Sequence, residues 1–304
     1  MRFLPLGAAL LVPAVWGASA PAVGKTFPSP EEAVYALLAA VNEHSSNALV
    51  EIFGPTINSL KSADPVQAQN EFMDFAAGLK QSRHIMRIDS QRCILEIGDD
   101  YWPFAIPIVS KGGGWFFDTE AGKDELLNRR IGFNELLALE GLRAAAQAQR
   151  EYAAYDHDGD EVLEFAQKII STPGMKDGLY WSPDIDGEIS PLGPAFADAQ
   201  GEGYFKKLPN ENAPQPFHGY FIKILTRQGK HAPGGAYDYV INGNMIGGFA
   251  FVAWPAQYGD SGVMTFIINQ QGKVYQKDLG LETASVVKKM KNYDPDPSWT
   301  VSPD

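Results

Sequence analysis

Residues 237–277 read YDYVINGNMIGGFAFVAWPAQYGDSGVMTFIINQQGKVYQK and carry the strongest strand signal in the chain. Three β-branched and aromatic runs, Tyr237 to Ile241, Gly248 to Trp254 and Val263 to Ile268, precede a shorter fourth, Lys273 to Tyr275. Between them stand Asn242-Gly243-Asn244, Tyr258-Gly259-Asp260-Ser261-Gly262 and Asn269-Gln270-Gln271-Gly272. Gly and Asn tolerate positive φ and form Asx-turns, as short antiparallel connections require. The pattern predicts an antiparallel meander at the centre of a core.

Upstream of the meander, Gly219 to Leu225 reads as one more strand. The segment from Gly174 to Pro216 is rich in Pro, Gly and Asp, yet Leu179, Tyr180, Trp181, Phe196, Tyr204 and Phe205 make it too apolar for a solvated tether. It is expected to be a long ordered loop region. Helices are predicted from Glu161 to Ile170 and from Glu135 to about Tyr155, the latter capped by Asn134 and carrying a stripe of Leu136, Leu139, Leu142, Ala146 and Ala153. A charged helical segment lies between Thr119 and Asn134. Its Arg129 and Arg130 follow Asp124 and Glu125 at helical ion-pair spacing and read as a solvated face rather than an anion site.

The N-terminal part begins with Ser29-Pro30-Glu31-Glu32, a helix start with Ser as cap and Pro in the first turn. Helices follow to Phe53 and from Val66 to Leu79, then strands at Cys93 to Ile97, Trp102 to Val109 and Gly114 to Asp118. Helices before a curled antiparallel sheet make an α+β unit. At 304 residues the chain is long for one core, so two domains are expected.

A formal net charge of −12 and the lack of any Lys/Arg run exclude nucleic acid and anionic membrane surfaces as expected partners. The N-terminus carries one Arg, an apolar stretch from Phe3 to Trp16, and the small residues Ala20-Pro21-Ala22 before Val23. This is the pattern of a cleavable signal peptide, and no later segment predicts a membrane span. Cys93 is the only cysteine; it stands in an apolar run and is expected to be buried.

Asp156-His157-Asp158-Gly159-Asp160-Glu161-Val162-Leu163-Glu164 is the sharpest candidate for chemistry. One reading is a helix-start turn whose acids suit the helix dipole. The other is a calcium site formed by Asp156, Asp158, Asp160 and Glu164, since alternate carboxylates around a Gly turn several hard oxygens inward. Compared with an EF-hand loop, Gly falls at the fourth rather than the sixth position and Gln167 takes the place of the closing acid. Calcium is the one cofactor the residues suggest. Gly259-Asp260-Ser261-Gly262, with His218 and Asp238 upstream, has the residue order of a serine protease, but 43 residues from His to Ser cannot hold two barrels. His44, His84, His157, His218 and His231 have no zinc-ligand spacing. Asp184, Asp186 and Glu188 offer carboxylates for a general acid-base pair. Tyr180, Trp181, Tyr204, Tyr220, Trp254 and Tyr258 read as core, with the pair Tyr180-Trp181 the best candidate for stacking on a sugar.

GKDELLNRRIGFNE, AQREYAAYDHDGDEVLEFAQKI, KDGLYW, SPLGP, FHGYFIKIL, APGGAYDYV, GGFAFVAWPAQYGDSGVMTFI and VYQKDLG together resemble an exported bacterial family, Domain of Unknown Function 2950. The resemblance spans nearly all of the chain after the signal peptide and carries over no catalytic residues. The N-terminal part also resembles cone-shaped domains of the nuclear-transport-factor-2 and cystatin-like kind. The C-terminal part is similar to pilin and pseudopilin globular heads, without the apolar helix that builds a fibre. The expected organisation is a signal peptide (1–22), a cone-like domain (23–133), a pilin-head-like domain (134–293) and a Pro-rich tail (294–304), each domain with helices packed on an antiparallel sheet. The expected function is a non-catalytic, exported (periplasmic or secreted) binding or assembly module for an envelope protein or cell-wall polymer. The alternative is a wall polysaccharide or peptide hydrolase using an Asp/Glu pair.

Overall fold

Ser29 starts the first helix as its sequence predicts: its Oγ accepts the Glu32 N–H at 3.2 Å, and α1 runs Pro30–Asn42. Residues 24–184, 187–205 and 215–303 are described in this computed structural model. The expected signal peptide and Asp186 lie outside them. α2 (Ser46–Phe53), a 3-10 turn at Pro55–Leu60 and α3 (Pro65–Gln81) follow. They pack on an antiparallel sheet of β1 (Arg83–Arg87), β2 (Arg92–Ile97), β3 (Trp102–Pro103), β4 (Ile108–Lys111) and β5 (Gly114–Phe117). The order is β1-β2-β4-β5, with β3 pairing β2. Alternate residues Cys93, Leu95 and Ile97 of β2 point into a core shared with Leu37, Val41 and Phe117, which is why the lone thiol is fully buried. That burial raises the Cys93 thiol above its ordinary value.

From Asp118, whose carboxylate caps the Ala121 N–H, a single helix α4 runs Thr119–Tyr152. The expected break at Asn134 is absent. Nothing between Gly132 and Leu136 stops helical hydrogen bonding, and Asn134 is fully buried inside the helix with its amide turned to tertiary partners. At 1.5 Å per residue the helix is about 50 Å long. Its second half lays Ala138, Leu142, Ala145 and Tyr152 in a second core with Phe251, Phe266 and Ile268.

The predicted helix from Glu161 to Ile170 is absent. Its backbone is committed elsewhere: the Phe165 N–H donates to the Met245 carbonyl, and the buried Gln149 side chain bonds both the N–H and the carbonyl of Ala166 at 2.8 Å. Such bonds satisfy polar groups that a helix would otherwise use. Within the long middle segment, α5 (Gly193–Gly201) is the element not foreseen.

The remaining strands are β6 (Tyr220–Leu225), β7 (Arg227–Gln228), β8 (Tyr237–Asp238), β9 (Val240–Ile241), β10 (Asn244–Met245), β11 (Ala250–Pro255), β12 (Met264–Asn269), β13 (Tyr275–Asp278), β14 (Asn292–Tyr293) and β15 (Thr300–Val301). β11, β12 and β13 form the predicted meander, and the main sheet has the order β15-β13-β12-β11-β6. The run from Tyr237 to Ile241 does not join it. β6 pairs with β11 instead, while β8 pairs with β7 and β9 forms a hairpin with β10. The proline-rich tail, expected along the surface, contributes β15 as an edge strand on β13. β11 is almost wholly buried because α4 covers the sheet and α6 (Thr283–Lys289) packs on the same strand. The class is thus α+β, and no helix among the described residues is long and apolar enough to cross a membrane.

Candidate functional site

Three features gather polar chemistry: the acidic loop, a cleft in the N-terminal half, and a buried network where α4 crosses between the two cores. In the loop, Asp156 organises the backbone. Its Oδ1 accepts the N–H groups of Asp158 and Gly159 at 3.2 and 2.8 Å, and its Oδ2 accepts that of Glu161 at 2.9 Å. These donors, that of Gly159 first, hold the carboxyl below the ordinary aspartate range. Gly159 sits at φ +82°, where the chain reverses. One carboxylate oxygen each from Asp156, Asp158 and Asp160 lies within 4.8 Å of the others. Glu164 is not in that group; its Oε2 accepts the Met245 N–H at 2.7 Å. Asp160 is held by Asn244 at 2.6 Å, and His157 stacks on Tyr152 at the end of α4. Three convergent carboxylates fit a hard cation such as calcium, with water completing the shell. The helix-start reading falls with the absent helix.

The cleft, of about 1020 Å³, lies between α2, α3, the β2–β3 edge and the middle of α4. Leu49, Phe72, Phe75, Phe104 and Leu126 are among its apolar walls. At its mouth Trp102, Phe133 and Leu136 are 60, 55 and 62 % exposed. Apolar residues so exposed and so grouped mark a contact surface more often than a free one.

Arg130 stands on the cleft wall but is only 8 % exposed, against the expectation of a solvated face. Its Nε donates to Glu71 at 3.3 Å, its Nη1 to Asp260 at 3.1 Å and its Nη2 to the Leu60 carbonyl at 2.5 Å. Arg129 does face outward, pairing with Glu125 at 2.6 Å and with the Pro103 carbonyl at 2.7 Å. One turn beyond Arg130, Asn134 accepts from Gln67 at 2.6 Å and donates to the Ser261 carbonyl at 2.9 Å. Buried Asp64 caps α3 and also accepts from the Tyr204 hydroxyl at 3.0 Å and the Gly219 N–H at 3.3 Å. Gly219 has φ +72°, and a Cβ there would lie 2.7 Å from Ser261 Cβ and 2.8 Å from Asn134 Nδ2. Only glycine fits this crossing.

Burial raises the Glu71 carboxyl above its ordinary value, and the Arg130 charge opposes this without cancelling it. His218, 2.8 Å from Glu202 and packed among Tyr204, Phe217 and Phe133, is lowered by burial. The Glu202 carboxylate opposes that lowering without cancelling it. None of this network was foreseen. The signal that could have found it is the i, i+4 series Arg130, Asn134, Ala138, Leu142, one buried stripe that begins with two polar residues.

The other candidates disperse. Ser261 Oγ bonds Gln257, Asp260 pairs with Arg130 and Asp238 with Arg227, so GDSG is a hairpin turn. Asp184 accepts from Ser182, and Glu188 pairs with Lys176. Tyr180 and Trp181 are buried, Tyr180 stacking on Phe196 at 4.0 Å, which removes the sugar-stacking expectation.

Comparison with curated proteins and with solved structures finds no match. A family model described as Protein of unknown function (DUF2950) matches residues 24–301, a range that includes both cores, the acidic loop and the Arg130 network. The chain belongs to the DUF2950 family.

Proposed function

We propose that the protein is an exported, non-catalytic binding module whose N-terminal cleft receives the apolar part of an envelope partner. The open cleft of about 1020 Å³ with three large apolar side chains exposed at its mouth carries this reading. Export rests on the N-terminal apolar segment and its small-residue cleavage pattern, and implies a mature chain beginning at Val23. The N-terminal helices on a curled sheet are in keeping with a cone-like unit, and the helix-covered meander with a pilin-like head. The acidic loop is proposed as a calcium site that locks the end of α4 to the β9–β10 hairpin through Asp160 and Asn244. The hydrolase alternative draws less support. A carboxyl held low by backbone donors, as at Asp156, suits an acceptor or metal ligand and not a general acid at neutral pH.

A neutral apolar dye, Nile red, tests the cleft. It should brighten on binding, and Val50→Lys on the cleft wall should abolish the signal while leaving the circular dichroism spectrum unchanged. Brightening that survives Val50→Lys would place the binding surface elsewhere.

A further inference from the structure

We infer that the partner seated in this cleft is a polypeptide segment with an apolar face and positive charge, of the kind that folds as a short amphipathic helix. The inference rests on the binding reading above and adds the chemistry of the occupant. Size comes first. A helix with its side chains is about 10 Å across and rises 1.5 Å per residue, so a cleft of about 1020 Å³ holds about two turns. The mouth then continues as Trp102, Phe133 and Leu136, whose exposed surface would be wasted on a ligand enclosed by the cleft. Helix-in-groove recognition lays the apolar face of an amphipathic helix into such a hydrophobic groove, and large side chains at the rim extend the surface that face can cover.

Charge decides the sign of the partner. Both arginines of the cleft are already satisfied, Arg130 by Glu71 and Asp260 and Arg129 by Glu125 and the Pro103 carbonyl. Arg129 also lies over the Trp102 ring at 5.3 Å, which keeps that ring at the rim. The acids are not matched in the same way. Asp74 and Asp100 carry no ion pair among the described residues, and Asp99 only accepts from Gln81, while Lys61 is the opposing cation. The rim therefore presents uncompensated negative charge around an apolar floor. A cationic amphipathic segment complements both, and an acidic one is repelled.

Fluorescence anisotropy with three probes tests this on the purified protein: a labelled Leu/Lys amphipathic helix of about four turns, a Leu/Glu helix with the same apolar pattern, and Nile red. The Leu/Lys helix should bind at least about tenfold more tightly than the Leu/Glu helix, and added salt should narrow the gap. Asp74→Asn with Asp100→Asn should remove the preference, whereas Glu140→Gln with Glu161→Gln, an equal change of charge on exposed residues outside the cleft lining, should not. Phe133→Glu should weaken both helices. Equal binding of the two helices, or a preference that follows total charge rather than Asp74 and Asp100, overturns the inference. If Nile red binds and neither helix does, the cleft binds ligands but not this partner. If nothing binds, the binding reading fails with it.

Discussion

The acidic loop and the Arg130 network are both clusters of carboxylates and donors, yet they are built on opposite principles. In the loop, the bonds of Asp156 span two, three and five residues, and Asp156, Asp158 and Asp160 are all exposed. In the network, Arg130 reaches partners 59, 70 and 130 residues away and lies buried with Asn134. Short-range, exposed clusters cost little to order and little to lose, and they remain available to a ligand. Long-range buried ones hold the two cores together, and each lost partner strands a charge or a donor. The same residue types thus serve a candidate ligand site in one place and structural integrity in the other.

Removing one member from each side gives the largest contrast. Arg130→Met should cost about 3–5 kcal/mol in denaturant unfolding, because Asp260 and the Leu60 carbonyl lose their partner. Asp158→Ala, measured with chelator present, should stay within about 0.5 kcal/mol of the parent. Comparable losses would end the distinction.

The loop should respond only to its ligand. At a calcium concentration a hundredfold above Kd, linkage adds about 2.7 kcal/mol of stability, read as a rise in Tm that chelator reverses. Asp158→Ala should erase that rise. Superimposed melting curves with and without calcium would leave the loop as an Asx-turn cluster alone.

Asn134→Ala should cost about 2 kcal/mol, since the Ser261 carbonyl and the Gln67 amide lose buried partners. A double-mutant cycle with Gln67→Ala should show coupling between the two positions, 67 residues apart. Additive losses would show that the amide pair does not tie α3 to α4.

The smallest effect is one of pH. Because the folded Glu71 carboxyl is raised above 4.5, the native state holds its proton more readily than the unfolded chain. Stability from this group is present below that value and is lost as pH rises through the raised one. Glu71→Gln should therefore gain stability relative to the parent as pH rises above 4.5, followed by denaturant midpoints across the range. The side chain is still 42 % exposed, so solvent screening keeps the change small. A parent that gains on the variant with rising pH would mean that the Arg130 pair outweighs burial.

Much of the fold was legible because its causes are local. The Ser29 cap, the glycine turns of the meander and the alternation that buries Cys93 each act within a few residues. The proximity of the three aspartates of the loop was legible for the same reason. The bond from the Met245 N–H to Glu164 was not, because it joins residues 81 apart. Neither was the first run of the meander stretch, since β6 has the better claim on the β11 edge and that choice is made between strands. Cleft residues such as Trp102 and Phe133 look like ordinary core residues until the helices are placed.

The class of fold, the caps and turns, the buried thiol and the clustering of Asp156, Asp158 and Asp160 all follow from backbone preferences and neighbouring side chains, and so can be read along the chain. Packing between distant segments, by contrast, is what carries α4 unbroken past Asn134, buries Arg130 between Glu71 and Asp260, and leaves an apolar cleft open beside it. Those outcomes rest on partners brought together from 59 to 130 residues apart, and hydrophobic collapse of the two cores, rather than any local preference, puts them within reach.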